Sequence, residues 1–189
     1  MSLATTIPPE TTQDPLPDSE SLYEVIDGQF VEKPPMGNFQ VVVASILVQR
    51  LGPYARTHGL GRVLSEMLFK INPSGKRKRR PDVAFVSYER WPRDRKIDFE
   101  DGWDVIPDLA VEVISRSNSA EAVNQKTVEY FKVGVRRVWV VYPADRMIYV
   151  YESPKKAVIL DLEDELDGGD LLPGFRLSLA ELFEDGAEG

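Results

Sequence analysis

The stretch that most constrains this chain is Pro107-Asp108-Leu109-Ala110-Val111-Glu112-Val113-Ile114-Ser115, an apolar, β-branched run bounded by proline and serine. It reads as a buried strand. One carboxylate, Glu112, stands in its middle. A lone carboxylate is costly in an apolar setting, so it normally has a metal, a cation or donors beside it. Arg80-Pro81-Asp82-Val83-Ala84-Phe85-Val86 behaves alike, opening with an acid and continuing apolar. Two strands with one acid each, the second followed by a helix carrying a lysine, form the constellation on which a functional reading rests.

Composition narrows the chemistry. Cysteine is absent and histidine occurs once, as His58, which reads as the end of a helix. Disulfides, thiol nucleophiles, thiolate zinc sites and paired-histidine sites are all excluded. Any metal would be held by oxygen, and oxygen-only sites suit Mg²⁺ or Mn²⁺. The net charge of −8 speaks against a nucleic-acid partner at first, but it is unevenly spread. Acids crowd Asp161 to Asp167 and the segment after Glu181, whereas Lys76-Arg77-Lys78-Arg79-Arg80 is wholly basic and directly precedes Asp82. That run is a candidate grip for phosphates, because local potential governs such contacts more than net charge does. No apolar run has the length of a membrane span. The Thr-, Pro- and acid-rich start, 1–20, lacks the pattern of a signal peptide and reads as a loosely attached arm. The expectation is a cytoplasmic protein with one domain over 21–184 and a short tail over 185–189.

Along the chain, Leu22 to Glu32 alternates around Asp27-Gly28, the signal of a β-hairpin. Asn38 is a candidate cap for a helix over Gln40 to Thr57, which Gly52-Pro53 should kink or interrupt. Arg62 to Ile71 reads as one strand, and Ser87 to Ile106 as a long functional loop. Asn118, with Glu121 three residues on, predicts the start of a helix that closes at Gly134. Val135 to Tyr142 and Met147 to Glu152 read as strands, and Leu179 to Phe183 as a short helix. The implied class is α/β: a mixed sheet flanked by helices, with the core order helix, strand, strand, strand, helix, strand and an N-terminal hairpin.

The spacing allows one site. Ser115 lies roughly 10 Å beyond Glu112 along a strand. A helix starting near Asn118 and running back over the sheet brings Lys126 back by roughly 12 Å, level with Glu112, whereas Lys132 overshoots. If the Asp82 and Glu112 strands pair antiparallel, the acid that opens one meets the acid near the end of the other. Two carboxylates sharing a small volume repel, and a divalent cation is a common resolution of that repulsion.

These residues resemble the PD-(D/E)xK restriction-endonuclease-like superfamily and, more closely, the Uma-two family of bacterial endonucleases. The likeness is carried by Tyr23-Glu24-Val25-Ile26-Asp27-Gly28, Arg80-Pro81-Asp82-Val83, the 107–115 strand, Gly134 to Pro143 and Leu172-Pro173-Gly174-Phe175. It spans about Leu22 to Phe183. The resemblance implies a restriction-endonuclease-like fold and metal-assisted hydrolysis of phosphodiester bonds in nucleic acid, DNA above all, by a homodimer. It implies Asp82 and Glu112 as metal ligands, joined by the carbonyl of Val113, and Lys126 as the cationic partner. The superfamily places its lysine two residues after the strand acid, where this chain has Ile114. Related members are thought to carry it on the following helix instead.

Simpler readings stand beside these. Asp82 could be a turn residue, Glu112 a buried acid paired with a nearby base, Lys126 a solvated helix-edge lysine and the basic run a solvated loop. Glu24 and Gln125 are further candidates for the site, Glu24 being equally a surface cross-strand partner. Two other functions remain open: a nucleic-acid or protein-binding module that keeps the nuclease fold without catalysis, favoured by Ile114, and a hydrolase of non-nucleic phosphoesters.

Overall fold

A six-stranded mixed sheet carries the candidate acids. The computed structural model describes residues 21–116 and 118–186; the arm expected over 1–20 and residues 187–189 lie outside it. In chain order the elements are β1 (Tyr23–Ile26), β2 (Gln29–Glu32), α1 (Asn38–Thr57), β3 (Gly61–Ser65), β4 (Phe69–Lys70), β5 (Lys78–Arg79), β6 (Val83–Ser87) and β7 (Leu109–Val113). There follow α2 (Ala120–Lys132), β8 (Arg137–Tyr142), β9 (Met147–Ser153), β10 (Lys156–Leu160), β11 (Glu165–Asp167), β12 (Arg176–Ser178) and α3 (Leu179–Leu182). The large sheet runs β10-β9-β8-β7-β6-β3, with β7 and β8 parallel and the other neighbours antiparallel. The crossover between the parallel strands is α2, as a parallel pair requires.

The two faces of this sheet follow from the strand period of two. Leu109, Val111 and Val113 of β7, with Val83 and Phe85 of β6, join Val43, Leu47 and Leu51 of α1 in one buried cluster. Ala110 joins Tyr130 and, less deeply, Val123 under α2 on the opposite face. Val83 pairs with Val111 and Ala84 with Ala110. Parity therefore sends Asp82 and Glu112 to the α2 face together. Leu166, Leu172, Phe175, Leu177, Leu179 and Phe183 return to the α1 side and close that core.

The hairpin forms as expected, with Asp27 (φ 53°) and Gly28 (φ 86°) both left-handed at its turn. It belongs to a separate sheet, β2-β1-β5-β4. Other expectations need correction. The segment from Arg62 to Ile71 is two strands, one in each sheet, because Glu66 takes a left-handed conformation (φ 51°) and turns the chain from one to the other. Both strands are apolar on alternate residues, so periodicity does not see the break. Helix α1 runs uninterrupted through Pro53, which removes one rung near its end while Leu51 and Ala55 hold the packed face. Gly37 occupies its cap position and Asn38 is already helical. For α2 the cap is Ser119, whose Oγ accepts from the Ala122 amide at 3.1 Å. Asn118 instead closes the preceding turn, accepting from the Ser115 amide at 2.8 Å. No strand is expected over 156–160 or within 165–178, yet β10 and the β11–β12 ribbon occupy them. Among the described residues no helix is long and apolar enough to cross a membrane.

Candidate active site

A cleft of about 310 Å³ opens between the hairpin and the first turns of α2, and Glu24, Lys33, Asp82, Glu112, Gln125 and Lys126 line it. Asp82 (3% exposed) and Glu112 (8% exposed) project from neighbouring strands. One Asp82 oxygen accepts the Val113 amide at 2.5 Å, so the carboxylate that opens β6 is held against the residue following Glu112. The other oxygen accepts from Lys33 Nζ at 2.6 Å. Glu112 accepts from Lys126 Nζ at 2.9 Å and from the Tyr130 hydroxyl at 2.6 Å. Lys126 and Tyr130, four residues apart, share one helix face and hold one oxygen each.

Lys126 also lies 2.9 Å from Glu24 of β1. Glu24 in turn accepts from Arg79 at 2.7 Å and from the Arg80 amide at 2.9 Å. The hairpin thus adds an acid to the cleft. Gln125 lines the same cleft with its amide turned to Glu121 at 3.1 Å. Among the described residues no group of three or more His, Cys, Asp or Glu side chains is arranged to hold a metal ion. Ammonium groups stand on both strand acids instead.

Most of the basic run is engaged internally. Arg77 and Arg79 pair with Glu129 of α2, at 2.8 and 2.5 Å. Lys78 donates to the Asp101 carbonyl at 2.7 Å, and Arg80 to the carbonyls of Tyr23 and Glu66 at 3.0 and 2.5 Å. The Arg77 and Arg79 pairs tie the four-stranded sheet to α2.

Three residues of this cluster escape the sequence reading. Lys33 follows β2 and bridges Asp82 and Glu66, each at 2.6 Å. Its position depends on how the hairpin's sheet docks, which no local pattern encodes. Glu66 sits in the break between β3 and β4. Tyr130 is legible only as part of the inward face of α2; its hydroxyl partner is not.

Electrostatics follow from burial. The Glu112 carboxyl is pushed up to about 7, chiefly by burial; Lys126 pulls it down, while Asp82 and Glu24 push it up again. Burial works against the ammonium of Lys126, but Glu112 and Glu24 outweigh it and raise its pKa. For Glu24 burial acts upward, yet Lys126 and Arg79 hold the carboxyl below its usual range. A pH dependence follows for the metal-free protein. Between the ordinary value of 4.5 and about 7, Glu112 is ionised in the unfolded chain and protonated in the native one. The unfolded state then binds fewer protons, so this group lowers stability as pH rises through that window, by on the order of 2–3 kcal/mol. Urea titrations at pH 5 and pH 8 should show this loss in the wild type and not in Glu112→Gln; parallel profiles would refute it.

The architecture is that of a restriction-endonuclease-like α/β protein. It is similar to the crystal structure of a putative nuclease belonging to DUF820 from Anabaena variabilis, with a TM-score of 0.77 and 20% identity, covering 89% of this chain and 93% of that one. At that identity the likeness speaks for the fold. A looser match, to DrdV in a complex with DNA, has a TM-score of 0.38 and 17% identity and covers 79% of this chain but 13% of that one, too little to bear on the fold. Comparison with curated proteins gives no match. The family model Uma2, described as putative restriction endonuclease, matches residues 11–180, and the chain belongs to that family.

Proposed function

We propose that this protein is a metal-dependent endonuclease that hydrolyses phosphodiester bonds of nucleic acid, DNA in the first place. The observation that carries the reading is the contact of Asp82 with the Val113 amide at 2.5 Å, which sets two buried carboxylates from antiparallel strands side by side, with Lys126 2.9 Å from the second. The family described as putative restriction endonuclease supports it.

The donor set suits a hard divalent cation, Mg²⁺ or Mn²⁺, held by Asp82, Glu112 and the carbonyl of Val113. The upward push of Asp82 and Glu24 on Glu112 is a like-charge stress that such a cation relieves. When bound, the ion would polarise the scissile phosphate and lower the pKa of a water. The chain's own groups do the rest. Val113 N–H and Lys33 orient Asp82, and Tyr130 orients Glu112. Lys126 keeps its charge between Glu24 and Glu112 and stabilises negative charge developing on the phosphate. Of the run from Lys76 to Arg80 only Arg79 lines the cleft. The exposed Lys76 stands with Lys78 in a separate hollow beside the hairpin turn and is the candidate for a more distant phosphate contact.

A second reading has its own observation. With Lys33 on Asp82 and Lys126 on Glu112, each strand acid is neutralised within the protein, as in a purely structural ion-pair network. That favours a binding module without catalysis. Purified protein incubated with plasmid and Mg²⁺, beside Glu112→Ala and Lys126→Ala, decides between them. Nicking by the wild type alone supports the nuclease; equal nicking by all three marks a contaminant and removes the catalytic reading.

A duplex offers two strands to cut, so a homodimer is the expected assembly. Light scattering at assay concentration should return twice the chain mass of 21.3 kDa. A monomer under conditions of full activity would exclude the dimer as the working form.

A further inference from the structure

We propose that Lys33 supplies the second positive charge of this centre, standing on Asp82 and Glu66 where a two-cation site would hold its second metal. The centre therefore takes one divalent cation per chain. This inference rests on the cation-dependent reading given above and goes beyond it in assigning Lys33 and Glu66.

The geometry is specific. Lys33 Nζ lies 2.6 Å from Glu66 Oε2 and 2.6 Å from Asp82 Oδ1, so two carboxylates from different segments face a single point. Asp82 shows its other oxygen to the Val113 amide, on the Glu112 side. Asp82 thus takes an ammonium on one oxygen and turns the other toward Val113 and Glu112, the residues that would hold the cation.

Glu66 is not there by the drift of a surface side chain. Its backbone is left-handed (φ 51°), a conformation that costs a non-glycine residue energy and that clusters at functional sites. That backbone is pinned on both sides: the Glu66 amide donates to the Asp82 carbonyl at 3.1 Å, and Arg80 donates to the Glu66 carbonyl at 2.5 Å. The Lys33 side chain is 12% exposed, enclosed between the two carboxylates.

An ordinary structural salt bridge would tie the hairpin to the sheet and have no bearing on how many cations bind. The two roles separate in the number of ions bound. Calorimetric titration of the full chain with Mn²⁺, together with thermal melting in its presence and absence, reads that number without any substrate. Wild type should bind one ion. Lys33→Met leaves Glu66 and Asp82 facing each other uncompensated, and it should bind two and gain more from Mn²⁺ in melting temperature than the wild type does. Lys33→Arg should stay at one, and Lys33→Met/Glu66→Gln should return to one.

Two ions in the wild type, or one ion in Lys33→Met with unchanged affinity, would overturn the assignment. If Lys33→Met folds only with Mn²⁺, the assignment gains. If Mn²⁺ does not restore it while the double variant folds, the assignment is lost. A wild type that binds none would sink the cation-dependent nuclease and the one-cation count with it, whereas one ion in both the wild type and Lys33→Met at unchanged affinity sinks the assignment of Lys33 alone, so the two failures are told apart.

Discussion

Glu112→Gln is expected to reduce Mg²⁺-dependent cleavage by on the order of 10³-fold while leaving the protein folded. The amide keeps the shape of the side chain and its hydrogen bond with Tyr130, but removes the charge that would hold the cation. Lys126 retains Glu24 as a partner at 2.9 Å, so the substitution does not strand a buried ammonium. Lys126→Met should also cost cleavage, by about 10²–10³-fold, while sparing Mn²⁺ binding. The pair of measurements, plasmid nicking and Mn²⁺ calorimetry, assigns the roles. Loss of both in Glu112→Gln but of cleavage alone in Lys126→Met is the expected pattern. Full cleavage by Glu112→Gln would end the assignment of this cleft as the active site.

The largest effect on stability is expected from a different acid of the same segment. Asp108 is 1% exposed, deeper than Asp82 or Glu112. One of its oxygens accepts the Ser87 amide at 2.8 Å; the other lies 2.8 Å from Arg90 and 3.7 Å from Arg136. Its carbonyl accepts from the amides of Arg136 and Arg137 at 2.9 and 3.1 Å. Asp108 thus ties together the end of β6, the loop that follows it and the start of β8. Asp108→Ala leaves the Ser87 amide without its acceptor and strips Arg90 of its counter-charge, although Arg90 still donates to the carbonyls of Ile106 and Gly134, and it should cost about 3–5 kcal/mol. That corresponds to a fall in melting temperature on the order of 10 °C. Cleavage measured well below the transition should survive, since Asp108 stands roughly 13 Å from Glu112 along the strand. A melting temperature within 2 °C of wild type, by calorimetry, would refute this account.

The convergence of Asp82, Glu112 and Lys126 was legible because each step in it is periodic. Strand parity puts both acids on one face, and helix rise returns Lys126 to their level. The hairpin was equally legible from Asp27-Gly28. What escaped depends on long-range docking. Nothing near Lys33 announces Glu66 and Asp82, which lie 33 and 49 residues away. The basic run displays its charge in the sequence and hides its partners, since Arg79 meets Glu24 and Glu129 at separations of 55 and 50 residues. The break at Glu66 was invisible because an apolar strand that changes sheets keeps its alternation.

The cleft is a joint product of two sheets. Glu24 comes from the smaller one and Lys33 from the segment leaving its hairpin, while Asp82 and Glu112 are fixed to the larger. Within the smaller sheet, β1 and β5 share a single ladder pair, Val25 with Lys78. They are otherwise joined by polar contacts, Arg79 and Arg80 on Glu24 and Tyr23 and the Gly28 amide on the Lys76 carbonyl. Opening at that seam exposes far less apolar surface than melting the main core, so it lies at the low end of the free-energy spectrum of local unfolding. Warming should therefore inactivate the protein before it denatures it, and cooling should restore function without any refolding of the helical frame.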